Sequence, residues 1–262
     1  MTPIAEILAN AATIEGGFRA TIPMDWLQGR TAYGGLSSAL ALHAAHACDT
    51  DLPPLRSAQV SFIGPLSGNV AVSATRLRRG RNAAFIQADI TSDAGLGYRA
   101  TFVFMTDQTS RVVLDQRPPA GIAPPAPDAR LYTGPEEFFT GNFDFLDVKE
   151  ASDGRPLGEA EWLRWARLRA RDGLHPMVEV MAIGDALPPA AFRLLGKQLA
   201  PISSLTWMVN LLSATPRTRD GWWLLSAQSD YALAGCSSQS MRLWNSDGEL
   251  VAEGMQSVAI FA

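Results

Sequence analysis

Gln256 is the first residue of this chain to raise a chemical question. It lies in NSDGELVAEGMQSVAIF, where alternate residues of an extended run are Leu250, Ala252, Gly254, Gln256, Val258 and Ile260, and alternate side chains of a strand share one face. A glutamine amide on an otherwise apolar face must be hydrogen-bonded or cost roughly 1–3 kcal/mol. It is either a satisfied core glutamine or water site, or part of a polar functional site. Asp185 raises a second question, because it follows the apolar run Met177, Val178, Val180, Met181, Ile183 and precedes Pro188 and Pro189. A carboxylate at the end of a helix gains nothing from the helix dipole, and burial there would raise its pKa. The alternative is a solvated turn aspartate. His43 and His46 stand three apart with only His175 elsewhere, so no third metal ligand is in view and no metal is expected. Arg76, Arg78, Arg79 and Arg81 in RLRRGR suit either the phosphates of a ligand or a solvated hairpin end. No G-x-S-x-G elbow is present, which argues against a serine hydrolase of that type.

The elements that would carry these groups fall into two halves. DQRPPAGIAPPAPD admits neither a helix nor a central strand, since proline lacks a backbone donor, and residues 115–130 are read as a linker. The expected domains are 1–114 and 131–262. In the first, a short helix near 3–11 and a strand near 13–22 precede GRTAYGGLSSALALHAAHAC. There Leu36, Leu40 and Ala44 recur at helical spacing after Gly34 and Gly35. Strand-like runs follow near 56–63, 69–79 and 83–105. In the second half, strands near 143–149 and 159–169, a helix over 176–186, and strands near 201–213, 222–233, 236–245 and 249–261 repeat the order. ITSDAGL at 90–96 matches WNSDGEL at 244–250, and Gly68 precedes Asp93 by 25 residues as Gly221 precedes Asp247 by 26. The chain reads as two copies of a helix-plus-antiparallel-sheet unit. In that register Gln256 replaces Phe102 of the clean apolar face Leu96, Tyr98, Ala100, Phe102, Phe104. Ser204, by alternation, falls with Ile202, Thr206 and Met208, opposite the more apolar face of Leu205, Trp207, Val209 and Leu211.

Composition narrows the classes further. With 262 residues, of which 47% are hydrophobic and 18% charged, the chain can bury a core without disulfides. Its 22 basic and 26 acidic residues give a net charge of −4, which offers no basic field for nucleic acid or anionic membrane. The two cysteines, Cys48 and Cys236, form no zinc spacing and suit a reducing cytoplasm. The N-terminus lacks the charged and apolar regions of a signal peptide, and no window approaches the ~18 apolar residues of a membrane helix.

GRTAYGGLSSALALHAA, RSAQVSFIGPLSGNVAVSATRLRRGRNAAF, VEVMAIGDALPPAAF, PISSLTWMV and NSDGELVAEGMQSVAIF together resemble the acyl-CoA thioesterase II type of the thioesterase-like superfamily. The resemblance implies an α+β double hotdog, a pseudo-dimer of two helices each wrapped by a curved antiparallel sheet. It also implies a homodimer or higher homo-oligomer, and hydrolysis of acyl-CoA with no cofactor beyond the coenzyme A carried by the substrate. The family's water-holding trio of Asp, Thr or Ser, and Gln falls on Asp185, Ser204 and Gln256. Asp185 would then act as general base, with Ser204 and Gln256 orienting the water. The amides of Gly35 and Leu36 at a helix N-terminus are the expected oxyanion donors, unless Gly34 and Gly35 serve only close packing. Two departures bear on rate and acyl selectivity: Thr206 and Trp207 stand where the family often has an acidic residue and a histidine. The same superfamily also contains dehydratase-like relatives, and a catalytically silent acyl-CoA or lipid-binding module would share the fold.

Overall fold

The computed structural model describes every residue except Lys197, Leu199 and Ala262. Its first half runs α1 (Ile4–Ala9), β1 (Ala12–Ile14), β2 (Gly17–Ile22), the short strands β3 (Leu27–Gln28) and β4 (Thr31–Ala32), α2 (Gly34–Cys48), β5 (Leu55–Phe62), β6 (Gly68–Arg79), β7 (Ala83–Ser92) and β8 (Gly95–Met105). The second half runs β9 (Phe143–Val148), β10 (Glu161–Leu168), α3 (Pro176–Ile183), a 3-10 turn (Ala190–Leu195), β11 (Ile202–Leu211), β12 (Trp223–Leu233), β13 (Cys236–Asn245) and β14 (Leu250–Ile260). The single strand expected near 13–22 is a hairpin, because Gly16 at φ 74° turns the chain back and pairs Ile14 with Gly17. No helix among the described residues is long and apolar enough to cross a membrane.

One 12-stranded sheet carries the order β1-β2-β6-β7-β8-β5-β11-β14-β13-β12-β10-β9. Read outward from its middle, the two halves have the same topology: β5, β8, β7, β6, β2, β1 on one side correspond to β11, β14, β13, β12, β10, β9 on the other. The seam is an antiparallel pairing of β5 with β11, from Thr206 opposite Ser61 to Asn210 opposite Ser57. Each half lays its long helix on the sheet, so the architecture is the double hotdog, with a sheet that does not close into a barrel.

α2 is a helix of small and apolar residues whose Leu36, Ala39, Leu40 and Ala41 are fully buried. It packs on α3, and the two run antiparallel. The start of α2 meets the end of α3, where the Tyr33 hydroxyl donates to the Ala182 carbonyl at 2.7 Å. The end of α2 meets the start of α3, where the rings of His46 and His175 lie 4.6 Å apart. α3 has 8 residues against the 15 of α2, because Pro188 and Pro189 block helical continuation.

Residues 106–131 contain no helix or strand, yet they are not a free spacer. The Ala120 N–H donates to the Gly248 carbonyl at 3.0 Å, and the Trp244 indole donates to the Pro118 carbonyl at 2.9 Å. Ala120 completes a second apolar cluster with Leu163, Trp165, Trp222, Leu224, Trp244 and Leu250. The proline-rich segment therefore covers the outer face of the second half.

Candidate active site

The repeat relation shows how the site is built. In the first half Phe102 of β8 stands opposite Ile86 of β7 and Ala58 of β5. At the corresponding positions of the second half, Gln256 of β14 stands opposite Gln239 of β13 and Trp207 of β11. An apolar pair has become two glutamines, only 3% and 1% exposed. Their amides are satisfied in series. The Ala190 N–H donates to Gln239 Oε1 at 2.7 Å, Gln239 Nε2 donates to Gln256 Oε1 at 2.7 Å, and Gln256 Nε2 donates to Asp185 Oδ1 at 2.9 Å. Because Gln256 Oε1 is occupied as an acceptor, its NH2 must point at the carboxylate.

Asp185 lies just past α3 and its C-cap Gly184, where the dipole of its own helix disfavours charge. Its carboxylate, however, sits against the N-terminus of α2. A Cβ on Gly34 would fall 2.5 Å from Asp185 Oδ2, and the Gly35 amide stabilises the ionised form. Burial pushes the carboxyl up from its ordinary 3.8 to about 7, and the hydrogen bonds from Gln256 and Gly35 pull against that rise. Such a group exchanges a proton near neutral pH, as a general base requires.

Ser204 faces inward for a reason that simple alternation does not reveal. The pairing of β11 with β14 slips between Ser204 and Thr206, so Leu205 is an extra residue, a β-bulge. The bulge reverses the phase and puts Ser204, opposite Val258, on the same face as Trp207, opposite Gln256. The alternation that grouped Ser204 with Thr206 and Met208 is corrected accordingly. The first half has the same slip between Leu55 and Ser57, and Leu55 is the counterpart of Ser204. Among the described residues no hydrogen bond joins the Ser204 hydroxyl to Asp185 or Gln256.

Gly35 and Leu36 occupy the first turn of α2, ahead of Ser37, whose N–H donates to the Tyr33 carbonyl. The Gly35 amide is directed at Asp185 and the Leu36 amide stands beside it in the same turn. The arginine cluster is elsewhere. Arg76 and Arg79 reach Asp49, the C-cap of α2, at 3.4 Å each, and Arg78 and Arg81 are exposed. At 1.5 Å per residue this places them ~20 Å along α2 from its N-terminus.

The histidines also gather away from Asp185, toward the far end of α2. Burial, with His175 and His43 nearby, holds His46 down at about 4. His175 Nδ1 accepts the Met177 N–H at 3.2 Å as the N-cap of α3. Among the described residues no group of three His, Cys, Asp or Glu could hold a metal ion. The buried acid of α3 itself, Glu179, is fully engaged by Arg171 and the Trp223 indole at 2.9–3.1 Å.

Gln239 escapes a reading of the sequence that compares only the last strands of the repeat. Carrying the register one strand further back aligns it with Ile86, which would have revealed a second polar residue on the same face. Replacing Gln239 by Met keeps the volume but leaves Gln256 Oε1 and the Ala190 N–H without partners. The expected result is slower turnover together with an alkaline shift of the pH midpoint, since the Gln256 amide no longer holds the Asp185 carboxylate. A purely structural role would lower the rate and leave the midpoint in place.

Comparison with known families bears on this geometry. The family described as the acyl-CoA thioesterase N-terminal domain matches residues 22–105, and the acyl-CoA thioesterase C-terminal domain matches residues 114–260. The chain belongs to the acyl-CoA thioesterase family. Among solved structures, this thioesterase-family chain is similar to a hot dog-fold protein of unknown function from Alicyclobacillus acidocaldarius (TM-score 0.83, 20% identity, covering 100% of this chain and 99% of that one). It is also similar to a putative thioesterase II from Thermobifida fusca YX (TM-score 0.81, 21% identity, 100% and 98% covered). A third, the tesB protein of Mycobacterium avium subs paratuberculosis, gives a TM-score of 0.74 at 19% identity with 100% of both chains covered. At these identities the likeness establishes the double hotdog fold. The search of curated proteins gave no match.

Proposed function

We propose that this protein hydrolyses acyl-CoA thioesters with Asp185 as general base. The observation that carries the reading is the Asp185 carboxyl, pushed up to about 7 and held through Oδ1 by a glutamine that is itself held in place. A water between Asp185, Gln256 and Ser204 loses a proton to Asp185 as its oxygen bonds to the thioester carbonyl carbon. The Leu36 amide, with Gly35 beside it at the positive end of α2, stabilises the oxyanion. Collapse of the tetrahedral intermediate breaks the C–S bond, and the proton held by Asp185 passes to the departing sulfur. The products are a carboxylic acid and free coenzyme A. No cofactor is needed, and Arg76, Arg78, Arg79 and Arg81 are candidate contacts for the coenzyme phosphates.

A hydratase reading would need an acidic residue paired with an imidazole at the hotdog helix. His43 lies nine residues into α2 from Gly34, about 14 Å along the axis, and burial pulls its pKa down.

The test is free thiol release from short, medium and long acyl-CoAs by the wild type beside Gln256→Ala and Ser204→Ala. The wild type is expected to release thiol. Gln256→Ala should lose most of the rate, because it frees the base and opens a cavity, and Ser204→Ala should lose less. Saturable acyl-CoA binding with no thiol release by the wild type would overturn the hydrolase reading in favour of a binding module.

A further inference from the structure

Tyr33 and His175 stand at the same place in the repeat, each the N-cap of its hotdog helix, and they use it differently. His175 caps its own helix, since its Nδ1 accepts the N–H of Met177, the second residue of α3. Tyr33 makes no such bond, because its hydroxyl, at the far end of a rigid ring, cannot fold back onto the first turn as a short polar side chain does. The N–H of Gly35, the second residue of α2, is left for another acceptor, and that acceptor is Asp185. The Tyr33 side chain crosses instead to the other helix and donates to the Ala182 carbonyl at 2.7 Å. That carbonyl needs a donor. In a longer helix it would accept from Ala186, but the Ala186 N–H turns to Ile183, which leaves Ala182 among the orphan groups of a helix end. The phenol ring is fixed in place. It stacks on Phe139 at 4.3 Å and on Trp26 at 6.1 Å, with Phe143 edge-on at 5.8 Å. It passes so close to Gly35 that a Cβ there would fall 2.5 Å from Cε1 and Cζ. Burial, and then the Asp185 charge, hold the hydroxyl well above the ordinary tyrosine range, so it remains a donor wherever the site works.

We propose that Tyr33 is a positioning residue for the base: its hydroxyl pins the last turn of α3 to the first turn of α2 and so keeps the Asp185 carboxylate on the Gly35 amide. Ala182 lies three residues before Asp185, so a shift of that turn passes directly to the carboxylate. The Gly35 amide favours the charged form of the carboxyl over the neutral one. Loosening the pin therefore raises the pH at which Asp185 ionises and spoils its aim at the same time. The effect on turnover rests on the hydrolase reading above, whereas the effect on ionisation does not.

The test follows the Asp185 carboxyl carbon by NMR against pH, with its signal assigned by loss in Asp185→Asn, and measures thiol release alongside. The proteins compared are the wild type, Tyr33→Phe and Tyr98→Phe. Tyr98 is the matched control: it is as deeply buried, and its hydroxyl donates to Ser38 at 3.0 Å, which ties α2 to β8 and not to α3. Tyr33→Phe is expected to raise the Asp185 midpoint by about one pH unit, the worth of one hydrogen bond to a charged group. The rate at pH 7 should then fall about fivefold, as the ionised fraction drops from about one half to about one eleventh. Tyr98→Phe should lower the melting temperature and leave the midpoint in place. An unmoved midpoint in Tyr33→Phe overturns the proposal. An equal rise in Tyr98→Phe overturns it as well, by tracing the shift to loosened packing. If Tyr33→Phe is too unstable to assay, 4-aminophenylalanine at position 33 replaces it. Its amine restores a donor on the same ring and should hold the wild-type midpoint, and a raised midpoint there overturns the proposal. A raised midpoint in Tyr33→Phe with no thiol release by the wild type sinks only the hydrolase reading, whereas wild-type turnover with an unmoved midpoint in the variant sinks only the Tyr33 assignment.

Discussion

Asp185→Asn is expected to lower thiol release by ~10²–10⁴-fold, the usual worth of a positioned general base, and at the same time to make the protein more stable above pH 7. Both effects follow from the raised pKa. In the wild type the rate should climb as pH passes through about 7, where the buried carboxyl ionises, and level off above it. The sign for stability is opposite. The folded state holds the Asp185 proton more tightly than the unfolded chain does, so wild-type stability falls as pH rises from about 3.8 toward about 7 and is lowest above that window. Each unit of such a shift is worth about 1.4 kcal/mol. Asn has the same shape and no charge to bury, so melting temperatures of the two proteins should be close near pH 4 and diverge, with the variant higher, by pH 8. A variant as active as the wild type would remove Asp185 from the mechanism. A melting difference independent of pH would show that its carboxyl is not held neutral by burial.

The paired glycines at the start of α2 should separate a structural from a catalytic demand. A Cβ on Gly35 would stand 2.2 Å from the Ala182 carbonyl oxygen and 2.5 Å from the Tyr33 ring. Neither can yield, because the carbonyl is α3 backbone and already accepts the Tyr33 hydroxyl at 2.7 Å. Gly35→Ala must push the two helices apart, with an overpacking cost of ~1–3 kcal/mol and a lower melting temperature. A Cβ on Gly34 would meet Asp185 Oδ2 at 2.5 Å and Phe62 Cε1 at 2.7 Å, both side-chain atoms that can swing aside. Gly34→Ala should therefore fold with little loss and yet displace the base, costing ~10²-fold in rate, as small misplacements of a reacting group do. Full activity in Gly34→Ala would mean that the carboxylate does not work from its position against α2.

Much of this arrangement is legible in the sequence. The element order, the repeat and the odd placement of Gln256 follow from alternation and turn residues, which act over a few positions. The α3 stop at GDALPP is likewise local. What stayed hidden depends on pairing between distant segments. The extra residue Leu205 can be recognised only against β14, and without it Ser204 falls on the wrong face. Gln239 sits in CSSQSMRLWN, whose inward set of Ser237, Gln239, Met241 and Leu243 looks half polar until its partner strand is known. The unfavourable helix end at Asp185 was visible, but its remedy, the start of α2, comes from about 150 residues earlier in the chain and meets it only because α2 and α3 pack antiparallel. The packing of residues 115–130 against Gly248 and Trp244 gave no signal, since proline-rich composition excludes regular structure without excluding contact.

The seam between β5 and β11 has a meaning for how such a duplicated chain can diverge. Because one sheet runs through both copies, the apolar Ile86 and Phe102 of the first stabilise the same cooperative unit that must accommodate Gln239, Gln256 and the Asp185 carboxyl in the second. Two identical subunits cannot divide their roles in this way, since every substitution appears in both. Fusion lets one copy specialise in holding the fold together and leaves the other free to accumulate polar groups that would be a poor choice for folding alone.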